Sequence, residues 1–358
     1  MGRFNKGHPL ARSELRIAAD NDTGDLHPVP PAPRRRWPLF LRIVSWLYLL
    51  LLVLAWICLW AWADRHWSGT LIEFAPRWGL LIPIPLIALV ALVSDRHLFW
   101  PAGLALLVGL GPLTGLSLPL PWRLSAGLSP PIRVMTLNTD GRARAEDVVA
   151  LAESAKVDVV CLQEAYRPDN WAQHFGPDWD VRYQDEFVVA SRYRISVLEP
   201  LTSQDAAWDR CAVRCQLQTP HGVIRLVNLH THSLRNGLEA VLHHDPKGFA
   251  ELDKYVQRRN RESEHITQWI RDADGPVILA GDFNMAAGTL AYDEHWGRYL
   301  NAYSDSGYGW GATFHSRWHG VRIDHVLASR DFQAMDCWVG HDVGSAHRPV
   351  IATLQLVR

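Results

Sequence analysis

Residues 43 to 63, IVSWLYLLLLVLAWICLWAWA, run without a single charged side chain. As a helix rising about 1.5 Å per residue, this stretch matches the roughly 30 Å apolar core of a bilayer. A signal peptide would carry an apolar region of about 7 to 15 residues and end in small residues. This run is longer and ends in Trp60 and Trp62, so a membrane anchor is predicted. Two more uncharged runs, residues 78 to 94 and 98 to 122, are separated by Asp95, Arg96 and His97 and predict a hairpin of spans. The second run is short and Pro112, Pro119 and Pro121 break the third, which leaves a re-entrant or interfacial arrangement as the alternative.

Arg34, Arg35, Arg36 and Arg42 cluster before the first run, whereas Arg65 and Arg77 after it are offset by Asp64 and Glu73. The positive-inside rule then places the N-terminus in the cytoplasm. Three spans put everything after about residue 123 outside the cytoplasmic membrane, and two would leave it inside. Residues 1–37, with DNDTGD and PVPPAP, read as a flexible cytoplasmic tail, and 38–122 as a multi-pass membrane domain of about three transmembrane helices.

From residue 131 to 358 the pattern changes, with no internal repeat. IRVMTLN, VDVVCLQ, FVVAS, GVIRLVNLH, PVILAGDF, RIDHVLAS and PVIATLQL have the length and β-branched content of strands. Residues 145 to 155 and 249 to 273 have helical spacing with charged outer faces. Many strands and few helices predict an α/β domain of two packed sheets flanked by helices. The formal net charge of -1 argues against bulk electrostatic binding of nucleic acid. Five cysteines without a CxxC pair supply no zinc ribbon, thioredoxin motif or disulfide framework.

The informative residues are polar groups at strand ends: Asn138 and Asp140, Glu164, His230, Asp282 and Asn284, and Asp324 with His325. His347 precedes the final strand. Singly, each reads as a turn former or helix cap. Together, at one edge of a sheet, they suit metal or phosphate binding, and oxygen ligands without paired cysteines select Mg²⁺ or Mn²⁺.

The ordered series LNTDG, CLQEA, FVVASRY, VNLH, AGDFN, RIDH and GSAHRPV resembles the endonuclease/exonuclease/phosphatase superfamily over roughly residues 132 to 356. That superfamily includes pancreatic-type deoxyribonuclease, exonuclease III, inositol polyphosphate phosphatases and neutral sphingomyelinases. The resemblance implies a four-layer sandwich, two mixed β-sheets face to face with helices outside, and metal-dependent cleavage of a phosphate ester. It implies a metal site at Asn138 and Glu164, joined by Asp140. It assigns Asp282 and Asn284 to the attacking water and the phosphate, and their spacing of two would place both on one face of an extended segment. His230 would face the leaving group, and His347 would contact the phosphate and act as base. Asp324 would orient a histidine or complete the metal shell.

One position departs from the pattern: where the superfamily has Ser-Asp-His, this chain has Ser345, Ala346 and His347. Asp342 is a candidate substitute for the missing acid. The chain is then a natural variant, a deliberately disabled one, or a phosphate-binding module without turnover. Either Glu186 or Asp185 is a candidate acid partner for His230, and Arg167 and Arg192 are candidate phosphate contacts. Residues 234 to 256 read as a lid or a long loop, and His243, His244 and Asp245 within it as a weak metal motif. The expected function is a membrane-anchored, Mg²⁺-dependent phosphodiesterase or phosphatase acting on a lipid-linked or envelope phosphate ester. A nuclease is the alternative enzyme, and the non-catalytic module the alternative class.

Overall fold

The β-branched runs pair into two six-stranded sheets. The computed structural model describes residues 37–119, 129–166, 168–205, 210–271, 275–316 and 319–357. The proposed N-terminal tail lies outside them apart from Trp37, as do Arg167 and the end of the third apolar run.

The first sheet contains β1 (Ile132–Asn138), β2 (Val159–Gln163), β3 (Asp180–Gln184), β4 (Phe187–Ser191), β13 (Phe332–Val339) and β14 (Val350–Leu356), in the order β13-β14-β1-β2-β4-β3. The second contains β5 (Arg194–Thr202), β6 (Arg210–Thr219), β7 (Gly222–His230), β8 (Val277–Asp282), β9 (Leu300–Asn301) and β12 (Asp324–Ala328), in the order β5-β6-β7-β8-β12-β9. A small hairpin, β10 (Phe314–His315) with β11 (Gly320–Val321), stands apart. Each sheet is mixed, since β1–β2 and β7–β8 are parallel and the other pairs antiparallel.

The sheets bury a shared apolar layer that includes Val134, Cys161, Val189, Val213, Leu226, Ile278 and Val326. On the outer side of the first sheet, α5 (Ala145–Ser154) and α6 (Pro168–Phe175) cover Leu137, Val160 and Val188. On the outer side of the second, α8 (Gly248–Arg271) and α9 (Leu290–Trp296) cover Val227, Leu279 and Leu327. The expected four layers are therefore present, with α7 (Arg235–Leu242) and α10 (Ala302–Ser306) completing the surface. Residues 234 to 256, read as a lid or loop, are instead α7 and the first turns of α8.

The N-terminal unit departs from the expected three spans. It comprises α1 (Trp37–Trp62), α2 (Trp67–Glu73), α3 (Pro83–Val93) and α4 (Phe99–Val108). Among the described residues, one helix is by itself long and apolar enough to cross a membrane, Leu39–Trp62, and only 22% of its most apolar window is buried. The second run divides into a 3-10 turn, Arg77–Leu81, and the 11-residue α3, which is about half a bilayer core in length. Taken with α2 it meets the same composition test only as a pair bent by 75°. The third run yields the 10-residue α4 and a π turn, Gly109–Leu113, that contains Pro112. Prolines and Asp95 end these helices early, which hydropathy averaged over a window does not register.

Candidate active site

Strand register assembles the site. Across three neighbouring strands, Asp282 of β8 lies opposite His230 of parallel β7 and opposite Asp324 of antiparallel β12. Cross-strand partners share a face, so three of the expected residues meet by pairing alone. From the other sheet, Asn138 at the end of β1 donates its amide to Glu164 Oε1 at 2.9 Å and to Asp282 Oδ2 at 3.0 Å. That bridge joins the two sheets at their common edge.

Two acid–imidazole pairs flank Asp282. His347 Nδ1 lies 2.9 Å from Asp324 Oδ2, and His230 Nδ1 lies 2.9 Å from Glu186 Oε1. Both rings turn their Nε2 toward the same oxygen, Asp282 Oδ2, each at 3.8 Å. His230 Nε2 is also 3.8 Å from Glu164 Oε1. Burial works to lower the pKa of His230, but the charges of Glu186, Asp282 and Glu164 outweigh it and raise it to about 10. The same contest at His347, with Asp324 and Asp282 as the acids, raises it to about 9. Burial first, and the neighbouring Asp324 next, push the Asp282 carboxyl above its ordinary range.

Glu186 is thus the partner of His230, whereas Asp185 pairs with Arg210 at 3.3 Å. Asp342 does not replace the missing acid beside His347. Its exposed carboxylate pairs with Arg348 at 2.9 Å and accepts the Gly344 amide. Asp324 already occupies the orienting position. Ser345 holds the segment in place, accepting from His347 N and donating to Asn138 O at 2.7 Å.

Asn284 corrects the expectation of an extended segment. Its backbone is left-handed, at φ 47°, and its amide donates to Thr231 O at 2.9 Å, while its own N–H donates to Asp282 Oδ1. Asp140 lies at the rim, left-handed at φ 50°, with Arg142 and Arg235 at 3.5 and 3.7 Å. Arg192 stacks 4.5 Å over Trp179 and pairs with Glu153, away from the site. His243, His244 and Asp245 sit exposed in the α7–α8 connection.

The residues present fit a hard divalent cation. Four carboxylates, Glu164, Glu186, Asp282 and Asp324, surround two imidazoles, an excess of negative charge in a largely buried space. Asp140 Oδ2 is buried without a hydrogen-bond donor. Among the described residues one trio, Asp282, Asp324 and His347, groups its ligand atoms within 4.8 Å. The hydrogen bond between Asp324 and His347 accounts for that closeness, so Glu164 and Asp282, bridged by the Asn138 amide, are the better oxygen pair.

Gln163 of the CLQEA motif and Asn228 of VNLH join the site's supporting residues, although neither stands at a strand end that the sequence marks as functional. Gln163 Nε2 donates to Asn228 Oδ1 at 2.6 Å, and Asn228 Nδ2 donates to the carbonyls of Leu162 and Val188. This buried polar link between the sheets fixes the strand end that carries Glu164. Polar residues within apolar strands were the available signal.

The sequence model of the Endonuclease/Exonuclease/phosphatase family matches residues 135–347. No curated protein sequence matches the chain. Among solved structures, a humanized TDP2 from D. rerio has a TM-score of 0.50 and 16% identity, covering 63% of this chain and 100% of its own. D. rerio TDP2 complexed with single-strand DNA product gives 0.50 and 15%, with coverage of 63% and 100%. An endonuclease/exonuclease/phosphatase from Beutenbergia cavernae gives 0.49 and 17%, with coverage of 64% and 72%. At these identities the likeness concerns the fold, which is the one described above. The family match spans more than half of the chain and contains the strand ends that form the site, so the chain belongs to the endonuclease/exonuclease/phosphatase family.

Proposed function

We propose that this chain is a metal-dependent phosphoric ester hydrolase, anchored by α1 in the cytoplasmic membrane with its catalytic domain on the outer side, and that its substrate is a lipid-borne phosphate ester. The observation that carries the hydrolase reading is the pair of oriented imidazoles facing one buried carboxylate, each held by its own acid. In-line displacement needs one group to take the proton of the attacking water and one to protonate the departing oxygen. With its Nδ1 committed to an acid, each ring offers only Nε2 to the substrate, which fixes its tautomer.

Glu164 and Asp282 would hold Mg²⁺ or Mn²⁺, steadied by the Asn138 amide and with Asp140 at the margin. The cation would draw charge from a phosphoryl oxygen. Neutralising the carboxylates would also relax the upward pull on both imidazoles. His347, oriented by Asp324, would serve as base, and His230, oriented by Glu186, as the acid. Asp282 and Asn284 orient water and phosphate between them.

Proximity to α1 supports the lipid reading. That helix ends at Trp62, and Asp64 already touches Thr289, five residues beyond Asn284. A largely apolar cavity of about 360 Å³ lies at the junction, between Trp56, Leu59 and Trp60 of α1 and Ala286 and Ala287 of the site loop. A single span from a cytoplasmic N-terminus puts the domain outside, whereas a second span formed by the bent α2–α3 pair would put it inside. A nuclease would gain little from such tethering.

The test incubates full-length protein with Mg²⁺ and vesicles of phospholipid extract or, separately, with single-strand and duplex DNA, and follows phosphate-containing products. Lipid hydrolysis that falls about 10²-fold or more in Glu164→Gln is expected. Cleavage of DNA alone would replace the lipid reading with a nuclease. Absence of metal-dependent turnover on all of them would leave a binding module.

A further inference from the structure

The apolar N-terminal unit is joined to the catalytic domain by a buried charge, and that charge leads to the site. Asp64 follows α1 in a left-handed conformation, at φ 62°. Its Oδ1 lies 2.7 Å from Arg259 Nη2 of α8, and both side chains are fully buried, at 0% exposure. Its Oδ2 accepts from Thr289 at 2.8 Å, and its backbone carbonyl accepts from Asn260 at 2.6 Å. Arg259 and Asn260, adjacent on α8, therefore grip the side chain and the backbone of one residue.

The guanidinium has a second task. Arg259 Nη1 donates to the carbonyl of Asn284 at 2.7 Å, in the left-handed turn that follows Asp282. Asp64 thus reaches the candidate phosphate-bracing residue through one intermediate. It also reaches the far end of the same loop directly, because Thr289 is the N-cap of α9 and accepts from Tyr292 N. Both ends of the segment from Asn284 to Thr289 are tied to an aspartate supplied by the anchor.

We infer that Asp64 is a positioning residue for the catalytic site, acting through Arg259 and Thr289 to hold the loop that carries Asn284, so that the anchor is part of the enzyme and not merely its tether. This rests on the hydrolase reading for its consequence and on geometry alone for the coupling. A buried guanidinium with its carboxylate in place has one arrangement open to it. Without the carboxylate it turns toward the neighbouring buried Glu73 or toward water, and either move loosens its hold on the Asn284 carbonyl. Sub-ångström drift at a phosphate-bracing group slows the chemical step more than it weakens ground-state binding.

The experiment uses the full chain in detergent or nanodiscs and compares Asp64→Asn with Arg65→Ala. Arg65 also joins the two units, through Glu294 of α9, a contact separate from the Asp64–Arg259–Asn284 chain. Amide exchange of residues 283–289 is expected to quicken about tenfold or more in Asp64→Asn and to stay near wild type in Arg65→Ala. Where turnover is measurable, kcat should fall about tenfold in Asp64→Asn with KM within about twofold, and Asp64→Glu should recover part of it. If Asp64→Asn does not fold, the double variant Asp64→Asn/Arg259→Gln, which removes the ion pair as a whole and keeps the buried Glu73, is read in the same way. A folded variant at Asp64 with loop exchange equal to wild type would overturn the inference. Equal loosening in Arg65→Ala would overturn it too, by showing a general effect of detaching the anchor. A wild-type protein without turnover would count against the proposed hydrolase, while the exchange result would still decide the coupling.

Discussion

Asp140, Glu164 and Asn284 all stand at left-handed backbone angles, between φ 47° and 52°, immediately after strands. Such angles are uncommon away from glycine and are kept where surrounding contacts over-determine them. Here they turn the chain sharply enough to aim polar groups back across the strand ends. The division of labour between acids follows from the same local geometry. Glu186→Gln should reduce hydrolysis by about 10²-fold, and Asp185→Asn by less than about twofold, because only the former orients His230. Comparable losses would reassign the pair. Charge balance gives a second expectation at this scale. Both imidazoles are raised above their ordinary value near 6.5, to about 10 and about 9, so the folded metal-free protein binds protons that the unfolded chain has released. That stabilisation is complete below about pH 6.5 and is lost as pH climbs through the folded values. Thermal midpoints in EDTA should therefore fall from pH 6.5 to 10. Glu186→Gln should flatten the slope, and an unchanged slope would show that His230 does not carry the proton.

At the scale of elements, legibility tracked how local the cause was. The seven strands read from β-branched runs all correspond to strands in the structure, because apolar content and length decide them locally. β3, β5, β6 and β13 do not stand out among the sequence's strand-like runs, because Arg182, Glu199, Arg214 and Asp336 interrupt them at exposed or half-exposed positions that weaken the signal. The separation of α7 from α8 was lost inside what read as one long connection. For the site, residue types were legible from strand ends, but the pairing of His230 with Glu186 was not, because the two lie far apart in sequence and meet only through the packing of the sheets. The close approach of β7 and β8 yields a sharp prediction. A Cβ on Gly281 would stand 1.9 Å from the Leu229 carbonyl, a rigid backbone neighbour. Gly281→Ala should push apart the strands that bring His230 beside Asp282, costing about 3 kcal/mol or more and leaving little soluble protein. An alanine variant with a wild-type melting curve would mean that the two strands are not so close.

At the scale of the molecule, the N-terminal unit and the catalytic domain share more than a covalent link. Trp67, Leu71 and Phe74 of the α2 segment pack against Leu234, Leu252 and Val256 of the catalytic domain, and Trp67 N donates to Asp253. The carbonyl of Phe74 also meets His319 Nε2, beside the tip of the β10–β11 hairpin. The humanized D. rerio TDP2 structure, of the same fold, matches 63% of this chain over 100% of its own length, so the sandwich can make up a whole chain. It does not follow that this core is stable when cut free. Excising residues 1–128 would leave Arg259 buried without Asp64, a cost of about 3 to 5 kcal/mol, against a typical total of about 5 to 15. It would also expose the apolar face under α2. For a domain of this size such a loss lowers the melting midpoint by about 10 °C. Calorimetry of residues 129–358 beside the full chain should show that shift, with aggregation relieved when Arg259→Gln removes the orphaned charge. A fragment that melts within about 2 °C of the full chain would show that the seam contributes little stability, and the anchor could then be treated as a tether.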